Sequence, residues 1–178
     1  MKIKYLAVML VATLGLAACF QLPELPAQEE PAAPQEKGIP TEAVSLDLSL
    51  PVAGEETLWV SSDYQGKPVL VAVMATWCPW CKRSLPALDK TTAAYAGKAE
   101  VVGIFIEDDL AQVQNTQKDF KIQSKILYKG GAAAQQLGAQ GFPHIMLFDK
   151  NHKLVRVWSG YSDTLADQYA AELDKLLK

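Results

Sequence analysis

The chain has only three cysteines and two histidines, and past its first residues it has no cluster of Lys or Arg, no second long apolar run and no internal repeat. Each shortage removes a class of protein. Without a basic patch, and with a net charge of −3, there is no electrostatic case for nucleic acid as a partner. A single C-x-x-C pair with His144 and His152 far downstream lacks the four ligands at finger spacing that a structural zinc site wants. Copper held by the two thiols is a softer alternative, since His144 follows Pro143 and could approach the sulfurs.

What is present at the N-terminus reads as a targeting signal. Lys2 and Lys4 precede an uncharged apolar run over residues 6–16, which is shorter than the about 20 apolar residues a membrane span needs. The run ends in Leu16-Ala17-Ala18-Cys19. This resembles a bacterial lipobox, which implies a signal peptide of residues 1–18, cleavage before Cys19, a lipid on its sulfur and hence attachment to a membrane. The plainer alternative is an ordinary signal peptide with a chance cysteine. Phe20 stands where an aspartate favours inner-membrane retention in some bacteria, which leans toward the outer membrane. Residues 19–43 are rich in Pro and Glu (Pro23, Pro26, Pro31, Pro34 and Pro40 among them) and poor in bulky apolar residues, the composition of an extended tether. Residues 44–178 suffice for one domain with a sizeable core and not for two.

Within that domain the fold class is α/β. Val69–Met74 is a continuous apolar run behind Gly66-Lys67-Pro68, the pattern of a strand buried on both faces. It leads directly into Trp77-Cys78-Pro79-Trp80-Cys81. Residues 82–95 then show helical periodicity, stopped by Gly97 and kinked at Pro86. Further on, the pattern predicts a strand over 101–106, a helix over 110–120, a short strand near 126–128 and a small helix near 132–137. Residues 144–148 and 154–158 read as paired strands, and 164–177 as a last helix capped by Thr164. Residues 44–50 and 57–60 add an N-terminal hairpin or edge strands. The sum is a mixed central sheet with helices on both faces.

The cysteine pair is expected to be reactive. If lipidation consumes Cys19, Cys78 and Cys81 are the remaining thiols, and a loop as small as theirs adds little stability as a staple. At a strand-to-helix turn the first sulfur meets unpaired helix N–H groups, which favour a thiolate. Cys78 is therefore the predicted attacker and Cys81, one turn further in, the resolving thiol. Pro79 suits the first helical turn because its missing N–H is not needed there. Trp80 is expected to be a partly exposed face beside the sulfurs.

Taken with Pro86, five residues after Cys81, and with Gly141-Phe142-Pro143 ahead of a strand pair, the motif resembles the thioredoxin superfamily and, more narrowly, its membrane-anchored TlpA/ResA-like branch. The resemblance covers essentially all of residues 44–178. It implies a three-layer fold with a strand–helix insertion before Pro143. It also implies a cis Pro143 facing the cysteines, a substrate rim of Trp77, Pro79, Trp80, Phe142 and Pro143, and a redox-active Cys78–Cys81 disulfide with no bound cofactor or metal. The expected activity is that of a monomeric protein-disulfide reductase of the cell envelope. Its partners would be disulfide-bearing exported proteins and a membrane electron donor of the DsbD/CcdA type. A DsbA-like oxidase or isomerase, a lipid-anchored copper chaperone and a thiol peroxidase are the alternatives. Two departures bear on mechanism. Where thioredoxins carry a buried acid, six residues before the first cysteine, this chain has Ala72, and where ResA-like proteins often carry a helix glutamate it has Ser84. Glu107 and Asp108 are the possible substitutes, with surface solvation as the default role of both.

Overall fold

The computed structural model describes residues 44–107 and 109–178. The signal, the tether, Cys19 and Asp108 lie outside the described residues. Strand β3 (Val69–Met74) is the hub: every one of its residues is buried, as its unbroken apolar run requires. It pairs in parallel with β4 (Glu100–Phe105) and antiparallel with β6 (His144–Phe148). Strand β5 (Lys125–Leu127) extends the sheet beyond β4 and β7 (Leu154–Ser159) beyond β6, giving the order β5-β4-β3-β6-β7. The expected mixed sheet is thus present, with boundaries displaced by a residue at β4 and β5.

Alternation along β3 sends Leu70, Ala72 and Met74 to one face and Val69, Val71 and Val73 to the other. The first face receives Leu85 and Leu88 of α1 (Pro79–Ala94), Val113 of α2 (Leu110–Phe120) and Leu165, Tyr169 and Leu173 of α4 (Leu165–Leu176). Opposite it, the second face is covered by Ala133 and Ala134 of α3 (Gly131–Gln136) and by Leu46, Leu48, Val52 and Trp59 of the N-terminal segment. Each large aliphatic side chain so buried stabilises the fold by about 1.5–3 kcal/mol. Gly103 makes room on the first face, for a Cβ there would lie 2.6 Å from Ile126 Cδ1 and 2.8 Å from Met74 Cε.

Of the two N-terminal alternatives the hairpin is the one formed: strands β1 (Ser49–Pro51) and β2 (Leu58–Val60) pair antiparallel as a separate two-stranded sheet. Residues 44–48 are not strand because their amides bond elsewhere: Leu46 N–H donates to His152 O at 3.2 Å and Leu48 N–H to Ser61 Oγ at 3.0 Å. Thr164 occupies the N-cap position of α4 but makes no side-chain cap bond; its Oγ1 instead accepts from Gln168 Nε2 at 2.8 Å. Helix α1 begins at Pro79, so the cysteine motif itself supplies its first turn, and it runs on through Pro86.

Candidate active site

The site forms where β3 leaves the centre of the sheet and the chain turns into α1. Cys78 is the N-cap of that helix, in extended conformation at φ −84° and ψ 116°. Its Sγ accepts a hydrogen bond from Cys81 N–H at 3.3 Å, so the sulfur fills the place that a Ser or Asp oxygen takes at other helix starts. Pro79 is the first helical residue, as its missing N–H predicts. Across the site, Cys78 Sγ lies 3.5 Å from the carbonyl oxygen of Phe142, to which it donates. The Phe142–Pro143 peptide is cis, as the resemblance implies, and leads directly into β6.

Both cysteines are thiols. Cys81 is wholly buried, and Cys78, the expected attacker, is itself only 4% exposed. Burial pushes the Cys81 thiol well above the ordinary range. Its hydrogen bond with Cys78 and the charges of Cys78 and Glu107 push the same way, against an opposing backbone hydrogen bond at Ala75. The enclosed sulfurs contrast with the aromatic side chains around them. Trp77, 64% exposed, meets Phe142 edge to face at 6.2 Å between ring centroids. Trp80, 46% exposed as its position suggested, stacks on Tyr161 at 6.0 Å, with Arg83 Cζ 4.9 Å from its ring centroid. Tyr161 in turn donates to Asp163.

Of the residues singled out in the sequence, Trp77, Cys78, Pro79, Trp80, Cys81, Phe142 and Pro143 all belong to this one end of the sheet. Cys19 lies outside the described residues. His144 does not join them. It pairs with Val73, on the face of the sheet opposite the one to which the cysteines belong, and its buried Nε2 has no partner. The copper site that would need it beside the sulfurs is therefore not formed. Among the described residues no group of three or more His, Cys, Asp or Glu is placed to hold a metal. Ser84 is buried with its hydroxyl committed to Cys81 O at 2.7 Å.

Glu107 departs most from expectation, for it is not a solvated surface group. Its Oε1 accepts from Thr76 N–H at 2.8 Å and from Thr76 Oγ1 at 3.0 Å, and Gln112 Nε2 donates to that hydroxyl at 2.7 Å. Its Oε2 is buried and unpartnered. Thr76, Gln112, Arg83 and Tyr161 were not foreseen. The sheet brings Glu107 and Gln112 to Thr76, and Tyr161 to Trp80, from positions tens of residues apart, whereas Thr76 and Arg83 stand beside the C-x-x-C motif and carry a local hint.

A C-x-x-C pair capping the helix that follows a central strand, faced by a cis proline across the sheet, defines a thioredoxin-like fold. The chain belongs to the redoxin family, whose pattern matches residues 36–174. It is 32% identical over 133 residues to thiol:disulfide interchange protein DsbE of Pseudomonas fluorescens biotype C, covering 70% of this chain and 72% of that one. To thiol-disulfide oxidoreductase ResA of Bacillus thuringiensis subsp. konkukian it is 25% identical over 118 residues; the chain spans 65% of that relative's length, and the match takes in 65% of this chain. Among solved structures, the exposed lipoprotein thioredoxin of Streptococcus pneumoniae superposes with a TM-score of 0.64 at 26% identity, covering 74% of this chain and all of that one. The thioredoxin domain of a thiol-disulfide oxidoreductase from Bacteroides vulgatus gives a TM-score of 0.66 at 21% identity, covering 76% of this chain and 99% of that one.

Proposed function

We propose that the chain is a thiol–disulfide oxidoreductase of the cell envelope that reduces disulfides of exported proteins. The observation that carries this is the N-cap position of Cys78, whose sulfur receives the Cys81 amide and lies against the Phe142 carbonyl next to cis Pro143. A sulfur held there is aligned for attack on a disulfide presented along β6, and the Cys81 thiol lies one turn away to resolve the mixed disulfide. In the forward cycle Cys78 thiolate attacks a substrate sulfur and expels the other as a thiolate. Cys81 then displaces the first substrate sulfur, and the substrate leaves as a dithiol while a Cys78–Cys81 disulfide forms. A membrane dithiol donor of the DsbD/CcdA kind would return two electrons to that disulfide. Trp77, Pro79, Trp80, Phe142 and Pro143 would form the rim against which the substrate lies.

The location rests on the N-terminal signal and on Cys19 as a lipid attachment point, with the relatives ResA and DsbE and the pneumococcal exposed lipoprotein as support. Among the described residues no helix is long and apolar enough to cross a membrane. Direction of electron flow is tested by equilibrating the chain with glutathione redox buffers. A reductase should show a reduction potential near the about −270 mV of thioredoxin, and a value near the about −120 mV of DsbA would overturn that direction in favour of an oxidase.

A further inference from the structure

Resolution of the mixed disulfide requires Cys81 to lose a proton inside the protein, and burial makes that loss difficult. The position that holds an acid in thioredoxins is Ala72, which is buried in the apolar core, and the Ser84 hydroxyl is tied to Cys81 O at 2.7 Å. His144 is on the other face of the sheet. Beside Cys81, however, one carboxylate is held in place with a free oxygen. The charge of Glu107 acts on the Cys81 thiol, and its Oε1 is bound by the amide of Thr76, two residues before Cys78. Three donors in series fix the carboxylate: Gln112 Nε2 to Thr76 Oγ1, that hydroxyl to Glu107 Oε1, and Thr76 N–H to the same oxygen. Glu107 Oε2 is left buried with no partner, an arrangement that costs stability unless something occupies the oxygen during the reaction cycle.

We propose that Glu107, from the end of β4, accepts the Cys81 proton during resolution, in place of the acid missing at Ala72. The assignment rests on exchange through Cys78 and Cys81 and holds for either direction of electron flow. Starting from the mixed disulfide, the Cys81 S–H bond breaks and its proton passes to Glu107 Oε2. The Cys81 thiolate forms the bond to Cys78 Sγ, and the bond from Cys78 Sγ to the substrate sulfur breaks. The substrate sulfur leaves with the electron pair and takes up a proton from water. In the reverse direction Glu107 returns its proton to Cys81.

The test uses the full chain, reduced and mixed with oxidised glutathione under single-turnover conditions, with the glutathione adduct on Cys78 followed by mass spectrometry. Glu107→Gln keeps the size and one acceptor oxygen. It should slow decay of the adduct by about 100-fold at pH 7, within the range of general-base effects, so that the adduct accumulates. Adduct decay in the variant should then rise about tenfold per pH unit, as expected when hydroxide must ionise Cys81, whereas the wild-type profile is shallower. Adduct formation in a Cys81→Ser background should change less than twofold on adding Glu107→Gln. Glu107→Asp should restore part of the lost rate. Unchanged adduct decay in Glu107→Gln, or equal slowing of formation and decay, would overturn the proposal; the latter would make Glu107 a support for Thr76 and the start of α1. A wild-type chain that forms no adduct at all would instead overturn the exchange function, and the assignment with it.

Discussion

His144 is a buried imidazole on the far face of the sheet, with no partner for Nε2. Burial holds its pKa below the ordinary 6.5. The sign of the consequence follows from linkage: above about pH 6.5 neither folded nor unfolded chain protonates it, and the folded state is at full advantage. As pH falls toward the depressed folded value, the unfolded chain binds a proton that the folded chain refuses, and stability is lost. We therefore expect the urea midpoint of the wild type to drop between pH 7.5 and 5.5 by more than that of His144→Asn, measured by equilibrium unfolding at both values. Equal slopes would show that other groups carry the acid sensitivity. The residue scale also explains why Glu107 was misjudged in the sequence. A glutamate at a strand end beside two aspartates looks solvated, and only the approach of Thr76, 31 residues away, withdraws it from water.

At the level of elements, the junctions were less legible than the elements themselves. Strands β3 and β6 and helix α2 lie where the sequence pattern places them, because an apolar run, or a helical repeat opened by the capping Asp109, is a local signal. The cap of α4 differs from the pattern because Thr164 takes Gln168 as its partner, a choice that no local rule specifies. A comparable junction, between β5 and α3, gives a direct prediction. At Gly130 a Cβ would lie 2.3 Å from Ile104 Cγ2 and 2.8 Å from the backbone oxygen of Phe105, which also accepts the Gly130 N–H at 3.0 Å. Ile104 Cγ2 belongs to a stiff, wholly buried β-branched side chain, and the carbonyl is fixed in the bond it accepts. Gly130→Ala is expected to destabilise the domain by about 2–3 kcal/mol through overpacking, read as a lower urea midpoint at unchanged slope. At Gly103 the nearest atoms are ends of flexible side chains, so Gly103→Ala should cost less.

For the whole molecule, the cysteine chemistry is concentrated at one end of the sheet, and the proposed envelope location rests on the N-terminal segment. Trapping in cells tests the two together. Full-length Cys81→Ser should accumulate mixed disulfides with exported proteins, stable to non-reducing electrophoresis and released by dithiothreitol, and Cys78→Ser should trap none. If neither variant captures a partner while copper binds tightly, the chain is a metal carrier and not an exchanger. Captured partners confined to the cytoplasm would overturn the envelope location. Both sulfurs, finally, are nearly or wholly closed to solvent while the indoles of Trp77 and Trp80 stand out into it. On the proposed function a disulfide must come between the aromatic pairs Trp77–Phe142 and Trp80–Tyr161 to meet Cys78, so substrate selection would fall at that opening, before any electron moves.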